Sequence, residues 1–225
     1  MKKLVFYGWV LLAILGISFS ASADKPKNQQ DQFSYTIGYR FATDILNQGL
    51  ELDPDWVGRA ISDVLKEKDV ALTIDEMNAA MEAYKKQRLA ELTEAGNKNL
   101  QAGQDYLDKN KKNKNVVTLD NGLQYKILKE GSGKKPELQD KVVVHYKGTL
   151  IDGTEFDSSY RRGQPASFNV NGVIQGWQQA LTLMPEGSKW ELAIPPHLAY
   201  GARGSGPKIG PNETLLFEVE LLEVQ

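Results

Sequence analysis

The residues best suited to chemistry in this chain are aromatic side chains that recur through its carboxy-terminal half. Trp177 stands in the first turn of a short helix, which the apolar spacing from Ile174 predicts and which Pro185 ends. Strand-like alternation places further rings on faces that can meet beneath this helix. These rings are Tyr146, Phe168, Trp190 and Phe217. A lone tryptophan is usually a core residue, but the recurrence of rings around it favours an apolar cavity lined by the indole.

Few polar groups lie within reach of this cavity. They are the phenols of Tyr146 and Tyr200, the carboxylate of Asp157, and backbone N–H groups near Ile174 at the start of the helix. Asp157 is the only nearby carboxylate, so hydrolysis by a pair of carboxylates lacks its second member. No Ser-His-acid arrangement with the motif spacing of a hydrolase is found.

Histidine and cysteine chemistry is also limited. His145 has the opposite strand parity from Tyr146, and His197 follows Pro196 in a loop, so we expect neither histidine to be functional. Cysteine is absent, which excludes a thiol nucleophile, a disulfide framework and a thiolate zinc site. The net charge of −2 gives no sign of a nucleic-acid binder. Length and composition, 225 residues with 41% hydrophobic, allow one or two globular domains.

The amino terminus resembles an export signal. Lys2 and Lys3 precede an apolar run from 4 to 17, and Ala21-Ser22-Ala23 has the small-x-small pattern of a cleavage site. We therefore predict a signal peptide over 1–23 and a periplasmic protein, with association to the outer membrane or cell surface left open. The alternative is an uncleaved anchor, for which the run is shorter than the roughly 20 residues of a spanning helix.

Helices are predicted before residue 116. A first helix from about Phe33 to Asn47 is followed by a second that Asp53-Pro54 opens, and Thr73 begins a capping box for a third. Residues 24–72 are expected to form a helical dimerisation domain, and 73–115 a long connecting helix whose start belongs to it. Because its apolar stripe thins beyond Leu92 and glycines interrupt it, the later turns should stand in solvent.

The helical part has too little apolar surface for a comfortable core of its own. Units below about eighty residues rarely fold well without a staple, and no cysteine is available for one. We therefore predict a homodimer through residues 31–90. The alternative is a monomer in which this part packs on the downstream domain.

From residue 116 the pattern changes to strands. Alternation recurs in several runs, Asp152-Gly153 is a hairpin signal, and one short helix interrupts the strands. This predicts a twisted antiparallel β-sheet wrapped on a short α-helix over residues 116–225. With the helices before it, the fold class is α+β.

Five motifs in this half resemble the FKBP-type peptidyl-prolyl cis-trans isomerases. They are Val144-His145-Tyr146-x-Gly148, Asp152-Gly153-x-x-Phe156-Asp157-Ser158-Ser159, Val173-Ile174-x-Gly176-Trp177, Leu198-Ala199-Tyr200-Gly201 and Leu215-x-Phe217-x-Val219. The helical half, including Ser34-Tyr35-x-x-Gly38, is similar to the amino-terminal domain of the macrophage infectivity potentiator group of bacterial FKBPs. The resemblance implies a V-shaped dimer with catalytic domains held apart on the long helices.

The resemblance also implies the site residues. The catalytic set would be Tyr146, Asp157, Trp177, Tyr200 and Phe217. The substrate-binding set would be Phe156, Arg162, Phe168, Val173, Ile174 and Ile209. Family members form a polar cluster from the equivalents of Tyr146, Asp157 and Arg162, and they hold a bound carbonyl through the equivalents of Tyr200 and the N–H of Ile174. The sequence departs from the family in its loop at Ser205 and Lys208, which concerns substrate preference rather than the cavity.

The expected function is rotation of the X–Pro amide in unfolded or proline-containing exported polypeptides, assisting their folding with chaperone activity. Such a reaction needs no nucleophile, metal or other cofactor, because the barrier is lowered by desolvation and by hydrogen-bond donors. The resemblance implies that macrolides such as rapamycin fill the pocket. The alternative function is a non-catalytic holdase or a module that binds proline-containing peptides.

Overall fold

The computed structural model describes residues 25–225, so the predicted signal peptide and its cleavage after Ala23 lie outside the described residues. The described residues divide into two units, 25–44 and 45–225. Within the described range, no helix combines the length and apolar character needed to cross a membrane.

Three helices precede the β-rich part of the described chain, and α2 and α3 begin where local capping predicts. They are α1 (Gln29–Asn47), α2 (Pro54–Leu65) and α3 (Ile74–Asn110). The Asp53 side chain accepts hydrogen bonds from two N–H groups of α2, and Pro54 occupies its first position. Thr73 and Glu76 form the predicted capping box of α3. α1 starts four residues before the predicted Phe33, because Asn28 accepts from the Asp31 N–H and caps an earlier turn.

No residue between 25 and 94 is buried in the described chain. The exposed side chains of this stretch include many large apolar ones: Phe33, Tyr35, Ile37, Tyr39, Phe41 and Leu46 on α1, and Trp56, Val64, Leu65, Ile74 and Met81 on α2 and the start of α3. Exposed apolar side chains in such number are typical of a surface that a partner covers.

The carboxy-terminal half of α3 contradicts the expectation that it stands in solvent. Gly96, Gly103 and Leu107 are buried, and the helix packs against the β-rich part of the same unit. Its 37 residues make a rod of about 55 Å at 1.5 Å per residue. The prediction was wrong because the glycines were taken as interruptions, whereas they are the positions at which the Pro211 and Thr214 side chains pack against the helix and leave little room for a Cβ.

The β-rich part is a seven-stranded antiparallel sheet. Its strands are β1 (Val116–Thr118), β2 (Gln124–Lys129), β3 (Lys141–Leu150), β4 (Glu155–Ser158), β5 (Ala166–Asn169), β6 (Lys189–Ile194) and β7 (Leu215–Val224). Their order is β1-β2-β6-β7-β3-β4, and β5 also pairs with β3. The predicted α+β class is confirmed.

One helix, α4 (Gln175–Leu183), covers the inner face of the sheet. Its buried residues are Gly176, Trp177, Ala180 and Leu181, and they join a core that the alternate residues of β3, β6 and β7 complete. A Cβ at Gly176 would stand 2.5 Å from the Ile194 side chain, so glycine lets α4 lie close to β6. This approach brings Trp177 down onto the sheet.

Candidate active site

A single cavity gathers most of the predicted site residues. Its volume is about 580 Å³, and it is open to solvent between α4, the inner face of the sheet and the loop before β7. The lining residues are Tyr146, Phe156, Asp157, Phe168, Gly172, Val173, Ile174, Trp177, Tyr200, Ser205, Pro207, Lys208, Ile209 and Phe217. Every predicted site residue except Arg162 is among them.

Edge-to-face contacts fix the rings around Trp177. The indole is 4% exposed, and its ring lies 5.3 Å from Tyr146 and 5.3 Å from Phe217, at interplanar angles of 90° and 79°. Phe168 meets the indole at 5.8 Å, and Phe156 meets Phe217 at 5.5 Å. These T-shaped arrangements are the favoured geometry of aromatic pairs, so the rings form a firm apolar wall.

A glycine on β3 makes this wall possible. A Cβ at Gly148 would lie 2.5 Å from the Phe156 ring and 2.8 Å from the Phe217 ring. Since real Cβ atoms do not approach so closely, any side chain at this position would push one of the two rings into the cavity. Gly148 therefore contributes to the site because its lack of a side chain leaves room for the Phe156 and Phe217 rings.

Trp190 differs from the other rings of the predicted set. It is buried in the same core, but it stacks on Tyr125 with ring centroids 4.4 Å apart and does not line the cavity. Strand parity assigned it to the inner face, which is correct. Its position along β6 places it away from the opening.

A polar cluster stands at the edge of the apolar wall. The Tyr146 hydroxyl donates to one carboxylate oxygen of Asp157, and Arg162 donates to the other. Arg162 Nη2 also donates to the Tyr146 hydroxyl oxygen at 2.8 Å, and the guanidinium lies 5.4 Å from the Tyr146 ring centroid. Arg162 thus acts on the cavity by holding two groups that line it.

The cluster fixes the protonation states of its members. Burial by itself raises the pKa of Asp157, but hydrogen bonds from Tyr146 and Arg162 and the guanidinium charge outweigh it, so that pKa is lowered. Burial, followed by the hydrogen bond to Asp157, raises the pKa of the Tyr146 phenol. At neutral pH the cavity edge therefore holds a carboxylate and a protonated phenol.

The substitution Arg162→Leu is expected to raise the pKa of Asp157, because it removes one hydrogen bond and the nearby charge. A carboxyl whose folded-state pKa is depressed stabilises the fold above its unfolded pKa and loses that contribution as the pH falls through the folded value. In the variant this contribution should therefore be smaller, and its loss should be complete at a higher pH. Carbon-13 NMR titration of the carboxyl measures the shift directly.

Arg161→Leu is the matched control for this titration. Arg161 pairs with Glu155 at 3.2 Å rather than with Asp157. An equal shift of the Asp157 pKa in both variants would contradict the assignment of Arg162 to the cluster.

Two further hydrogen-bond donors belong to residues that line the cavity. The Tyr200 phenol lines the wall, and its pKa is raised by burial and then by the charge of Asp157, so it stays protonated at neutral pH. The Ile174 N–H, just before α4, has no hydrogen-bond acceptor among residues 25–225. Both donors are available to an oxygen atom of a bound ligand.

The loop before β7 supplies the outer wall. The two positions that depart from the family pattern, Ser205 and Lys208, both line the cavity. Lys208 Nζ lies 3.4 Å from the carbonyl oxygen of Phe156 and closes part of the rim. Sequence analysis missed two further lining residues, Gly172 and Pro207; a proline in a glycine-rich loop beside Ile209 was the available signal for the second.

The histidines lie outside the cavity, as expected. His145 stacks on Tyr160 at 4.7 Å and hydrogen-bonds the Ser159 hydroxyl, and His197 Nε2 lies 3.0 Å from the carbonyl oxygen of Asn121. Among residues 25–225, no group of three or more His, Asp and Glu side chains is arranged to hold a metal ion.

Comparison with known proteins agrees with this arrangement. The profile of the family described as FKBP-type peptidyl-prolyl cis-trans isomerase matches residues 132–222. A second profile, described as the domain amino terminal to FKBP-type peptidyl-prolyl isomerase, matches residues 30–127. Both halves of the described chain are therefore covered.

Whole-chain relatives extend the match. The outer membrane protein MIP of Legionella longbeachae is 40% identical over 225 residues, covering 96% of this chain and 97% of that protein. The FKBP-type 22 kDa peptidyl-prolyl cis-trans isomerase of Escherichia coli K12 is 46% identical over 201 residues, covering 86% and 94%. The crystal structure of FkpA from Escherichia coli has a TM-score of 0.62 at 38% identity, covering 88% and 98%.

The five motifs, the ring-walled cavity and these relatives lead to one family. The prediction made from the motifs is confirmed: the chain belongs to the FKBP-type peptidyl-prolyl cis-trans isomerases, the enzymes that catalyse rotation about the amide bond preceding proline.

Proposed function

We propose that this isomerase binds the pyrrolidine ring of an X–Pro segment in the cavity between Trp177 and the inner face of the sheet. The observation that carries the proposal is the geometry of the wall: aromatic rings in edge contact around one indole, enclosing about 580 Å³. This volume falls in the range of small-ligand sites and exceeds what one five-membered ring requires.

Two effects lower the barrier in this mechanism. Rotation about the X–Pro amide is opposed by about 18–20 kcal/mol, because conjugation between nitrogen and carbonyl must be broken. The planar ground state is charge-separated and is stabilised by water, so transfer into a dry aromatic cavity favours the twisted amide. A thousandfold acceleration requires about 4 kcal/mol, which desolvation and fixed donors can supply together.

The donors have separate roles in this mechanism. The Tyr200 phenol and the Ile174 N–H bind the carbonyl oxygen of the twisted amide from one wall. The Asp157 carboxylate, held by Tyr146 and Arg162, faces the amide. Its negative charge contributes to the electrostatic field at the amide as it twists. The ring atoms of proline contact Trp177 and the apolar residues of the predicted binding set that line the cavity beside it. No bond is made or broken to any side chain.

A protease-coupled assay on proline tetrapeptides tests this function. We expect catalysed isomerisation that a stoichiometric amount of rapamycin abolishes, because the macrolide fills the same cavity. Tight rapamycin binding without turnover would instead support the alternative, a module that binds proline-containing peptides. Turnover unaffected by rapamycin would contradict the placement of the active site.

The helical part is proposed to form a homodimer through residues 31–90, with the dimerisation domain over 24–72 and the connecting helix over 73–115. Support comes from the absence of any buried residue between 25 and 94 in the described chain, although apolar side chains are abundant there. A second copy is the partner that the resemblance implies. The exposed apolar surface of each helical part would then be covered by the same surface of the other subunit.

We further propose that the isomerase is exported to the periplasm and assists the folding of other exported proteins, because uncatalysed X–Pro isomerisation takes tens of seconds or longer. The basic, then apolar amino terminus and a relative named as an outer membrane protein support export. Two catalytic domains on one dimer would bind the same unfolded chain together and give chaperone activity by multivalency.

A cavity variant that lacks isomerase activity tests whether chaperone activity depends on isomerisation. If chaperone activity is independent, this variant still slows aggregation of an unfolded client. Cell fractionation with an antibody against the catalytic domain tests the location.

A further inference from the structure

The carboxy-terminal half of α3 contacts the segment that carries the outer wall of the cavity. This segment, the rim loop, comprises residues 200–214 and includes Tyr200, Lys208 and Ile209. Five residues of the rim loop line the cavity, namely Tyr200, Ser205, Pro207, Lys208 and Ile209. Its later residues Pro211, Asn212 and Thr214 contact α3. The two elements lie in one compact unit, Ile45–Gln225.

Reciprocal amide hydrogen bonds join the two elements. Asn99 Nδ2 on α3 donates to the carbonyl oxygen of Pro211 at 2.9 Å. Asn212 Nδ2 on the rim loop donates to the carbonyl oxygen of Gly96 at 3.3 Å. These bonds connect positions more than a hundred residues apart in the chain, so they are tertiary contacts of α3 and not features of a local turn.

The same loop residues are bonded onward to the cavity wall. The Asn212 N–H donates to the carbonyl oxygen of Gly201 at 2.8 Å, directly after Tyr200 in the chain. Across the loop, the Ser205 N–H donates to the Ile209 carbonyl oxygen at 2.8 Å, and the Ile209 N–H donates back at 3.2 Å. Thus Asn212 links α3 to the segment that presents Tyr200, while Pro211 lies two residues from Ile209.

Two glycines of α3 also let side chains of the rim loop pack closely against the helix. A Cβ at Gly96 would lie 3.3 Å from the Pro211 Cβ, and a Cβ at Gly103 would overlap the Thr214 side chain. Both glycines are buried within α3, where glycine costs about 1 kcal/mol relative to alanine, so the contact outweighs an intrinsic penalty. Thr214 is itself 1% exposed, which leaves little room for adjustment.

From these contacts we infer that α3 is part of the isomerase site's support: it positions the rim loop, and with it Tyr200 and Ile209, for substrate. Asn99 is a positioning residue in this scheme, since it acts on the cavity through the Pro211 carbonyl and touches no substrate. The inference rests on the proposed function. It gives the connecting helix a role in catalysis in addition to spacing two domains.

The test compares Asn99→Ala with Asn97→Ala in the full chain. Asn97 is exposed on the same helix, so the two substitutions change helix propensity equally and differ in the rim contact. Asn99→Ala should accelerate amide hydrogen exchange in residues 200–212 and lower kcat/KM about fivefold, the size of one hydrogen bond's contribution. Asn97→Ala should leave both unchanged.

The close contact between Gly103 and Thr214 allows a second, independent test. Gly103→Ala should displace the rim loop and lower kcat/KM, and the added Thr214→Ala should restore activity by removing the overlapping atoms. The Thr214 hydroxyl is buried without a hydrogen-bond partner among residues 25–225, so its removal loses no bond. Rescue of this kind is not expected if Gly103→Ala merely destabilises α3.

The outcomes separate this inference from the proposed function. An active wild type whose exchange and kcat/KM are the same as those of Asn99→Ala would overturn the positioning role. Faster exchange with unchanged kcat/KM would also overturn it, because α3 would then hold the loop without serving catalysis. A wild type inactive on every proline tetrapeptide would instead remove the proposed function itself.

Discussion

Trp177→Leu is expected to lower kcat/KM for proline tetrapeptides by about a hundredfold, which corresponds to ~2.7 kcal/mol of transition-state stabilisation. Leucine fills part of the volume but offers no flat surface to the pyrrolidine ring. It also releases the Tyr146 and Phe217 rings from their edge contacts, which admits water to the cavity. The protease-coupled assay measures the change, and rapamycin affinity should fall with it.

The chain supplies a matched control in Trp190→Leu. Trp190 is 3% exposed, close to the 4% of Trp177, and both indole nitrogens are buried without a hydrogen-bond partner in residues 25–225. Both variants should lose about 2–4 kcal/mol of unfolding free energy. Because Trp190 stacks on Tyr125 outside the cavity, its replacement should leave kcat/KM within about twofold of wild type, the scale of a sub-kcal/mol change. Equal losses of activity in the two variants would show that Trp177 acts through stability alone.

Ile37→Glu is expected to convert the proposed dimer to a monomer, halving the mass measured by light scattering. Ile37 is 52% exposed on α1, and the proposed partner subunit would bury it. An ionised carboxylate in an apolar interface without a partner costs several kcal/mol, and two copies would be buried at once. At about 1.4 kcal/mol for each tenfold change, the dissociation constant should rise by several orders of magnitude.

Thr36→Glu is the control for dimerisation. Thr36 is the adjacent exposed residue of α1 and lies on its polar side, so the same charge should be tolerated. The monomeric variant should keep its activity on tetrapeptides, because each catalytic domain holds a whole cavity. Its suppression of client aggregation should weaken. A dimer that persists in Ile37→Glu would place the interface elsewhere.

Local sequence signals predicted the starts of α2 and α3. Asp53-Pro54 and Thr73 with Glu76 carry their capping groups within three residues, so no distant contact is needed to recognise them. Strand alternation was equally informative for β3, in which Val142, Val144 and Tyr146 are buried in turn. The cavity residues followed from motifs whose spacing places them on these elements.

The alternation of apolar residues does not predict where along the sheet each side chain lies. Parity assigns a ring to a face of the sheet, but it does not say how far along the face the ring lies. Parity therefore treated Trp190 and Phe217 alike, and only the family motif assigned Phe217 to the site, where it lines the cavity. The rim residues Gly172 and Pro207 were missed for a related reason, since loops have no periodicity to interpret.

By itself, the amino-acid sequence determined the α+β class, the family and nearly every residue of the cavity, because caps, alternation and motif spacing act over a few positions. Tertiary structure decided what the glycines of α3 do. Gly96 and Asn99 meet residues whose positions in the chain are more than a hundred away, and a contact of that separation leaves no periodic trace in either segment. A glycine within a helix looks the same in sequence whether it interrupts the helix or lets the side chain of a distant residue pack against it, and only packing distinguishes the two.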